Sequence, residues 1–204
     1  MKSEHYINSL DELTELMGTP NSKVVEKHAD VLDDQCREFI SHSPFVLIST
    51  SDAKNHQSVS PKGDAPGFIH VLDDKTLLIP ERPGNKMAFG FKNILETGRI
   101  GLIFMVPRIL ETLRIEGTAR ISKDPELLER LSAQNKPALL CTVVKVDLCW
   151  IHCGKALIRS GLWNPETWSK ETGFSFSRQV ANVINVKEDL VDQSIQDDYK
   201  NNLY

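Results

Sequence analysis

In residues 68–79, FIHVLDDKTLLI, two runs of bulky and β-branched side chains, Phe68–Leu72 and Thr76–Ile79, flank a polar tip of Asp73, Asp74 and Lys75. That composition predicts an antiparallel hairpin, because the tip offers turn chemistry and each arm is too short and too β-rich for a helix. Pro80 and the Pro83-Gly84 pair close the second arm. Toward the N-terminus, Ser58–Lys62 alternates in character, Asp52–His56 is a polar turn and Phe45–Ser49 is another short apolar run. Toward the C-terminus, Ile100–Val106 is apolar throughout, as in a strand buried on both faces. In Glu111–Ser122, Leu113, Ile115, Ala119 and Ile121 alternate with Arg114, Glu116, Thr118 and Arg120, the mark of a half-exposed strand. Ala138–Ile151 gives one more long strand.

About six strands joined by short connections predict a mainly β chain with peripheral helices: a six-stranded antiparallel barrel rather than a parallel βαβ sheet. The helices lie outside this series. Ser9 with Glu12 forms a capping box for a helix that Gly18 and Pro20 stop. A second helical stretch runs from Ser22 to Ile40 with a break near Asp30, and Pro44 ends it. Asn85–Glu96 reads as a helix closed by Thr97-Gly98, and Asp124-Pro125 opens a short one to Leu131. Gly154–Leu162 fits either a short helix or continued strand. The expected organisation is one domain over 1–204, with a helical N-terminal extension, 1–43, and a polar C-terminal stretch, about 186–204, as helix or tail.

The 204 residues suffice for a single core, and 40% hydrophobic against 25% charged residues excludes general disorder. A net charge of −4 argues against nucleic-acid and anionic-membrane binding. The charge is uneven: acidic residues outnumber basic ones over Met1–His42, and basic ones dominate between Arg82 and Arg120. Anion binding is therefore expected mid-chain. Four cysteines are too sparse for a disulfide scaffold, and no run approaches the ~18 apolar residues of a membrane span, so a cytoplasmic protein is expected. No Gly-x-Gly-x-x-Gly follows a strand, and no Ser-His-Asp or Cys-His constellation can be assembled from the spacings. Cys149-Trp150-Ile151-His152-Cys153 carries metal-ligand types, but strand alternation puts His152 opposite the two thiols, so no metal site is expected.

Three segments suit an anion, each with a plainer alternative. Ser58, Ser60 and Lys62 share one face of a strand that Pro61 marks as an edge; they form a polar ligand face or a solvated edge. Arg82, Asn85 and Lys86 join a strand to a helix N-terminus, where amides and helix dipole favour a phosphate, or where the chain simply turns. Arg114 either belongs to this anion site or pairs across the sheet with a neighbouring acid. Lys155, Arg159, Ser160 and Trp163 add cations, a hydroxyl and an aromatic within nine residues. Their alternative is a salt-bridged helix capping the barrel.

Taken in order, Ile48-Ser49-Thr50-Ser51-Asp52-Ala53, Ser60-Pro61-Lys62-Gly63-Asp64, Leu78-Ile79-Pro80, Arg82-Pro83-Gly84-Asn85, Asn93-Ile94-Leu95, Glu111-Thr112-Leu113-Arg114, His152-Cys153-Gly154-Lys155-Ala156, Arg159-Ser160 and Leu162-Trp163 resemble the pyridoxamine 5′-phosphate oxidase-related FMN-binding split-barrel proteins. The resemblance covers roughly residues 45 to 170. It implies a split barrel that dimerises with FMN between subunits, acting as an oxidoreductase on a small-molecule substrate or electron donor, or as a non-catalytic flavin or haem store or sensor. Related barrels take a deazaflavin. By similarity, Ser58, Ser60, Lys62, Arg82, Asn85, Lys86 and Arg114 face the cofactor, and Lys155, Arg159, Ser160 and Trp163 contribute from a partner. Lys62 is the cation expected near the flavin N1–C2=O edge. The Arg-Leu-x-Pro-like ending of the oxidases proper is absent, the chain finishing Asp198-Tyr199-Lys200-Asn201-Asn202-Leu203-Tyr204, so oxidation of the B6 vitamer is not implied.

Overall fold

A computed structural model describes residues 5–169 and 171–204. Met1–Glu4, the start of the expected N-terminal extension, lies outside them. The strands are β1 (Phe45–Ser51), β2 (Gln57–Gly63), β3 (His70–Asp73), β4 (Thr76–Glu81), β5 (Arg99–Met105), β6 (Thr112–Ser122) and β7 (Leu140–His152). They form one antiparallel sheet in the order β2-β1-β5-β6-β7-β4-β3. Its helices are peripheral, and the chain is a mainly β split barrel. Seven strands stand where about six were expected, and both arms of the 68–79 hairpin enter the sheet. The outer arm, β3, stays short, pairing only with β4 and slipping register between Val71 and Asp73.

The sheet curls until its edge strand β2 comes opposite β4, with no ladder hydrogen bonds between the two. Lys62 on β2 pairs with Glu81 on β4, and the loop after β4 reaches the end of β2 through Arg82 and Asp64. Strand β4 runs on through Pro80 to Glu81 instead of stopping at the proline. Pro80 is tolerated because β3 pairs only as far as Leu78, leaving that flank of β4 open toward the split. The interior is filled by Val46, Ile48, Leu77, Ile79, Leu102, Phe104, Leu113, Ile115, Val144 and Val146, every second residue of their strands. At the β6–β7 bulge, Gly117 faces Lys145 so closely that a Cβ would lie 2.0 Å from the Lys145 carbonyl oxygen, which excludes any side chain there.

Helix α3 (Asp34–His42) covers one end of the barrel with Cys36 and Ile40, its N-terminus capped by Asp33. The expected break near Asp30 is wider than one residue: α2 (Ser22–Glu26) ends four residues earlier, and Ala29 crosses instead to pair with Cys149 of β7. Helix α1 (Leu10–Met17) has the Ser9 cap and leaves its apolar residues exposed. Helix α4 (Phe89–Thr97) closes in a left-handed Gly98. It starts four residues later than the spacing of its apolar residues predicts, since Lys86 and Ala88 take left-handed backbone. Helix α5 (Pro125–Arg130) lays Leu127 and Leu128 over a second cluster of Leu78, Leu131, Ala138 and Cys141 on the outer side of β4 and β7. The ambiguous Gly154–Leu162 stretch is helical, α6 (Lys155–Ser160), and α7 (Phe176–Ile184) with α8 (Glu188–Asn201) makes a hairpin beyond it. No helix of the described residues is long and apolar enough to cross a membrane.

Candidate functional site

The split between β2 and β4 is a groove of about 840 Å³, within the range of small-molecule and cofactor sites. One wall comes from β2. Ser58, Ser60 and Lys62 stand opposite Thr50, Ile48 and Val46, which are buried, so this face of the edge strand points inward and not to solvent. Ser60 and Lys62 line the groove, while Ser58, one step further along the strand, does not. Lys62 is held between the Glu81 carboxylate and the Phe91 ring, its ammonium 5.7 Å from the ring centroid.

The loop from Arg82 to Ala88 forms the other wall. Arg82 donates from Nε to Asp64 at 2.8 Å and from a terminal nitrogen to the Leu131 carbonyl at 2.8 Å, so it is largely committed to the protein. Burial pushes the Asp64 carboxyl up. The Ala65 N–H, Arg82 and the Tyr204 hydroxyl together outweigh burial and hold it below its ordinary value. Asn85 and Lys86 are exposed to the groove, and the Asn85 side chain accepts from the Met87 N–H. Lys86 and Ala88 have φ of 60° and 55°, conformations that non-glycine residues rarely hold and that cluster at ligand sites. Ala88 caps α4 without any side-chain acceptor, and Ala88, Phe89 and Gly90 at the start of that helix line the groove beside Lys86. Phe68, Ile79, Met87, Phe91, Ile94 and Leu139 supply apolar walls between these polar ends.

Two residues at the mouth carry no local signal in the sequence. Leu203 and Tyr204 line the groove, and the Tyr204 hydroxyl donates to Asp64 at 2.8 Å while Lys136 donates to its carbonyl at 2.6 Å. Glu81 likewise carries no local signal, because an acid in an anion site is recognisable only once its partner Lys62 is known.

The remaining candidates lie elsewhere. Arg114 is on the outer face of the sheet, in a row Pro61–Leu47–Ile103–Arg114–Trp150 that crosses five strands. Among the described residues it makes no cross-strand ion pair with an acid, and its Nε is buried without a hydrogen-bond partner. Close by, burial lowers the His152 pKa, and the charges of Arg114 and Lys27 add to that effect. Lys155, Arg159 and Ser160 belong to exposed α6, where the Ser160 hydroxyl is taken by the Leu157 carbonyl. Trp163 donates to the Ile109 carbonyl at 2.9 Å. None of these lines the groove of its own chain. Cys149 is buried and bonds the Val31 carbonyl, and Cys153 is exposed.

The sequence profile described as pyridoxamine 5′-phosphate oxidase matches residues 32–151, which contain the whole sheet but the last residue of β7. The chain belongs to the pyridoxamine 5′-phosphate oxidase family. Among solved structures it is similar to HupZ of Group A Streptococcus, at 20% identity over 58% of this chain and 92% of that one, with a TM-score of 0.48. It is similar to an FMN-binding protein of Syntrophomonas wolfei, at 16% identity over 69% of this chain and 92% of that one (TM-score 0.42). The heme storage protein HutZ of Vibrio cholerae matches at 14% identity over 59% and 94% (TM-score 0.38). No curated protein matches.

Proposed function

We propose that this protein binds FMN in the groove and serves as an oxidoreductase toward a small-molecule substrate or electron donor. The observation that carries this reading is the loop Asn85–Ala88, which turns through two left-handed residues to present Lys86 and the uncapped end of α4 on one side of an apolar groove. A phosphate monoester needs oriented N–H groups and a cation, a ribityl chain needs hydroxyl and amide partners, and a flat ring needs apolar walls. Lys86 with the α4 amides suits the phosphate, Ser60 and Asn85 the polyol, and Ile79, Phe91 and Leu139 the ring. Lys62 would stand toward the ring edge as the cation that favours a reduced, anionic flavin. Bound there, the flavin supplies hydride or electron transfer, and the chain's own residues bind, orient and exclude water. A haem store on the same barrel is the less favoured reading, because none of the described residues lining the groove is a histidine that could hold the iron.

The active form in this proposal is a homodimer. The outer face of β1, β5, β6 and β7 carries half-buried Leu47, Ile103, Met105, Leu148 and Trp150, where a solvated face would be polar. A second copy laid on this row would cover those side chains and give the orphan Nε of Arg114 an acceptor. It would also bring the Lys155–Trp163 segment within reach of a groove other than its own.

Titrating purified protein with FMN and following flavin fluorescence and native mass tests both parts. Quenching with a dimer carrying one FMN per chain is expected. Unquenched FMN and a mass without flavin would sink the proposal.

A further inference from the structure

Lys62 and Glu81 sit on strands that are not neighbours in the sheet, so their ion pair spans the split itself, at the groove wall. Both are largely enclosed, their side chains 27% and 20% exposed, and both line the groove with Phe91 behind the ammonium. The second contact across the split uses the opposite polarity, an acid from the end of β2 and a base from beyond β4. Either orientation would therefore close the gap, and closure alone does not require a carboxylate on the ligand side. Glu81 has no other hydrogen-bond partner for its side chain among the described contacts: Lys62 is its role.

From this geometry we infer that Glu81 is a positioning and tuning residue. It holds the Lys62 ammonium at the groove wall and offsets its charge, so that the ligand's electron-rich edge meets a moderated cation and not a full one. This rests on the FMN reading and adds to it. In a partly enclosed groove a charge a few ångströms away acts with much less screening than in water. Removing the carboxylate while keeping its shape therefore stabilises reduced, anionic flavin more than oxidised flavin.

The test is the midpoint potential of the FMN-loaded protein and of Glu81→Gln, Lys62→Met and Asp147→Asn, with FMN affinity and thermal unfolding measured on each. In Glu81→Gln the ratio of reduced to oxidised flavin affinity should rise about tenfold, a positive shift of about 30 mV for a two-electron couple. Lys62→Met should shift it the other way. Asp147→Asn, which removes a carboxylate from an exposed pair with Arg99, should leave it unchanged. Should Glu81→Gln not fold, Glu81→Asp keeps the charge but withdraws it from Lys62 and should give a smaller shift of the same sign. A Glu81 variant that binds FMN at an unaltered or lowered potential overturns the inference alone. Failure of the unmodified protein to bind FMN overturns the cofactor reading and this inference with it.

Discussion

Arg82 reaches back from the loop after β4 to donate to Asp64, just past the end of β2, at 2.8 Å, and the two side chains are only 17% and 5% exposed. Their strands share no ladder hydrogen bonds, so this contact, with the Lys62–Glu81 pair beside it, fixes the width of the split. An enclosed pair of this kind is worth little over apolar packing, but breaking it is costly, because the survivor is left buried and unpaired.

Replacing Asp64 by Ala should therefore lower stability by about 3 kcal/mol, read from urea unfolding. The Asp64 pKa is held below its unfolded value, so its contribution is present above the ordinary carboxylate range of about 4 and is lost as pH falls through the lower folded value. Acid unfolding of the parent should steepen in that window, and Asp64→Asn should flatten it. Equal acid profiles would show that the pair does not hold the split.

Lys86 tests the phosphate end. Lys86→Ala should weaken FMN about tenfold or more, the worth of a charge-assisted hydrogen bond. Riboflavin, which lacks the phosphate, should bind parent and variant alike. A loss equal for both ligands would move the phosphate away from this loop.

Ile103 lies next to Arg114 in the outer row. Ile103→Lys would bury a second cation beside Arg114 in the proposed dimer, and the variant should sediment as a monomer while keeping its β circular dichroism. A dimer of unchanged strength would place the interface on another face.

Thiol reactivity should be sharply divided. Burial first, then the Asp33 and Cys149 neighbours, push Cys36 up to about 12, and burial pushes Cys141 up to about 11 and raises Cys149. Cys153 is exposed. At pH 8 a thiolate-selective reagent should label one cysteine per native chain rapidly and the other three only after unfolding.

Much of this molecule is written locally. The 68–79 hairpin, the period-two pattern of residues 111–122, the Ser9 cap and the Gly98 stop each depend on neighbours within a few positions, and each forms, although the first hairpin arm starts at His70 instead of Phe68 and takes Asp73 from the expected tip. The ordered motifs from Ile48 to Trp163 were enough to point to the family, and Ser60, Lys62, Arg82, Asn85 and Lys86 do converge on one groove. Helix ends were less legible. The start of α4 depends on left-handed residues at 86 and 88, which side-chain periodicity does not encode.

What the sequence determined alone was the mainly β, antiparallel character of the chain and the residue types of the β2 face and the Arg82–Lys86 loop, because these rest on alternation and turn residues read at short range. What the tertiary structure decided was which charges remain available. Arg82 is held by Asp64, Lys62 by Glu81, Arg114 faces outward, and Tyr204 arrives at the groove from the far end of the chain. Those pairings depend on how far the sheet curls, and curl is a property of all seven strands packed together, not of any one of them.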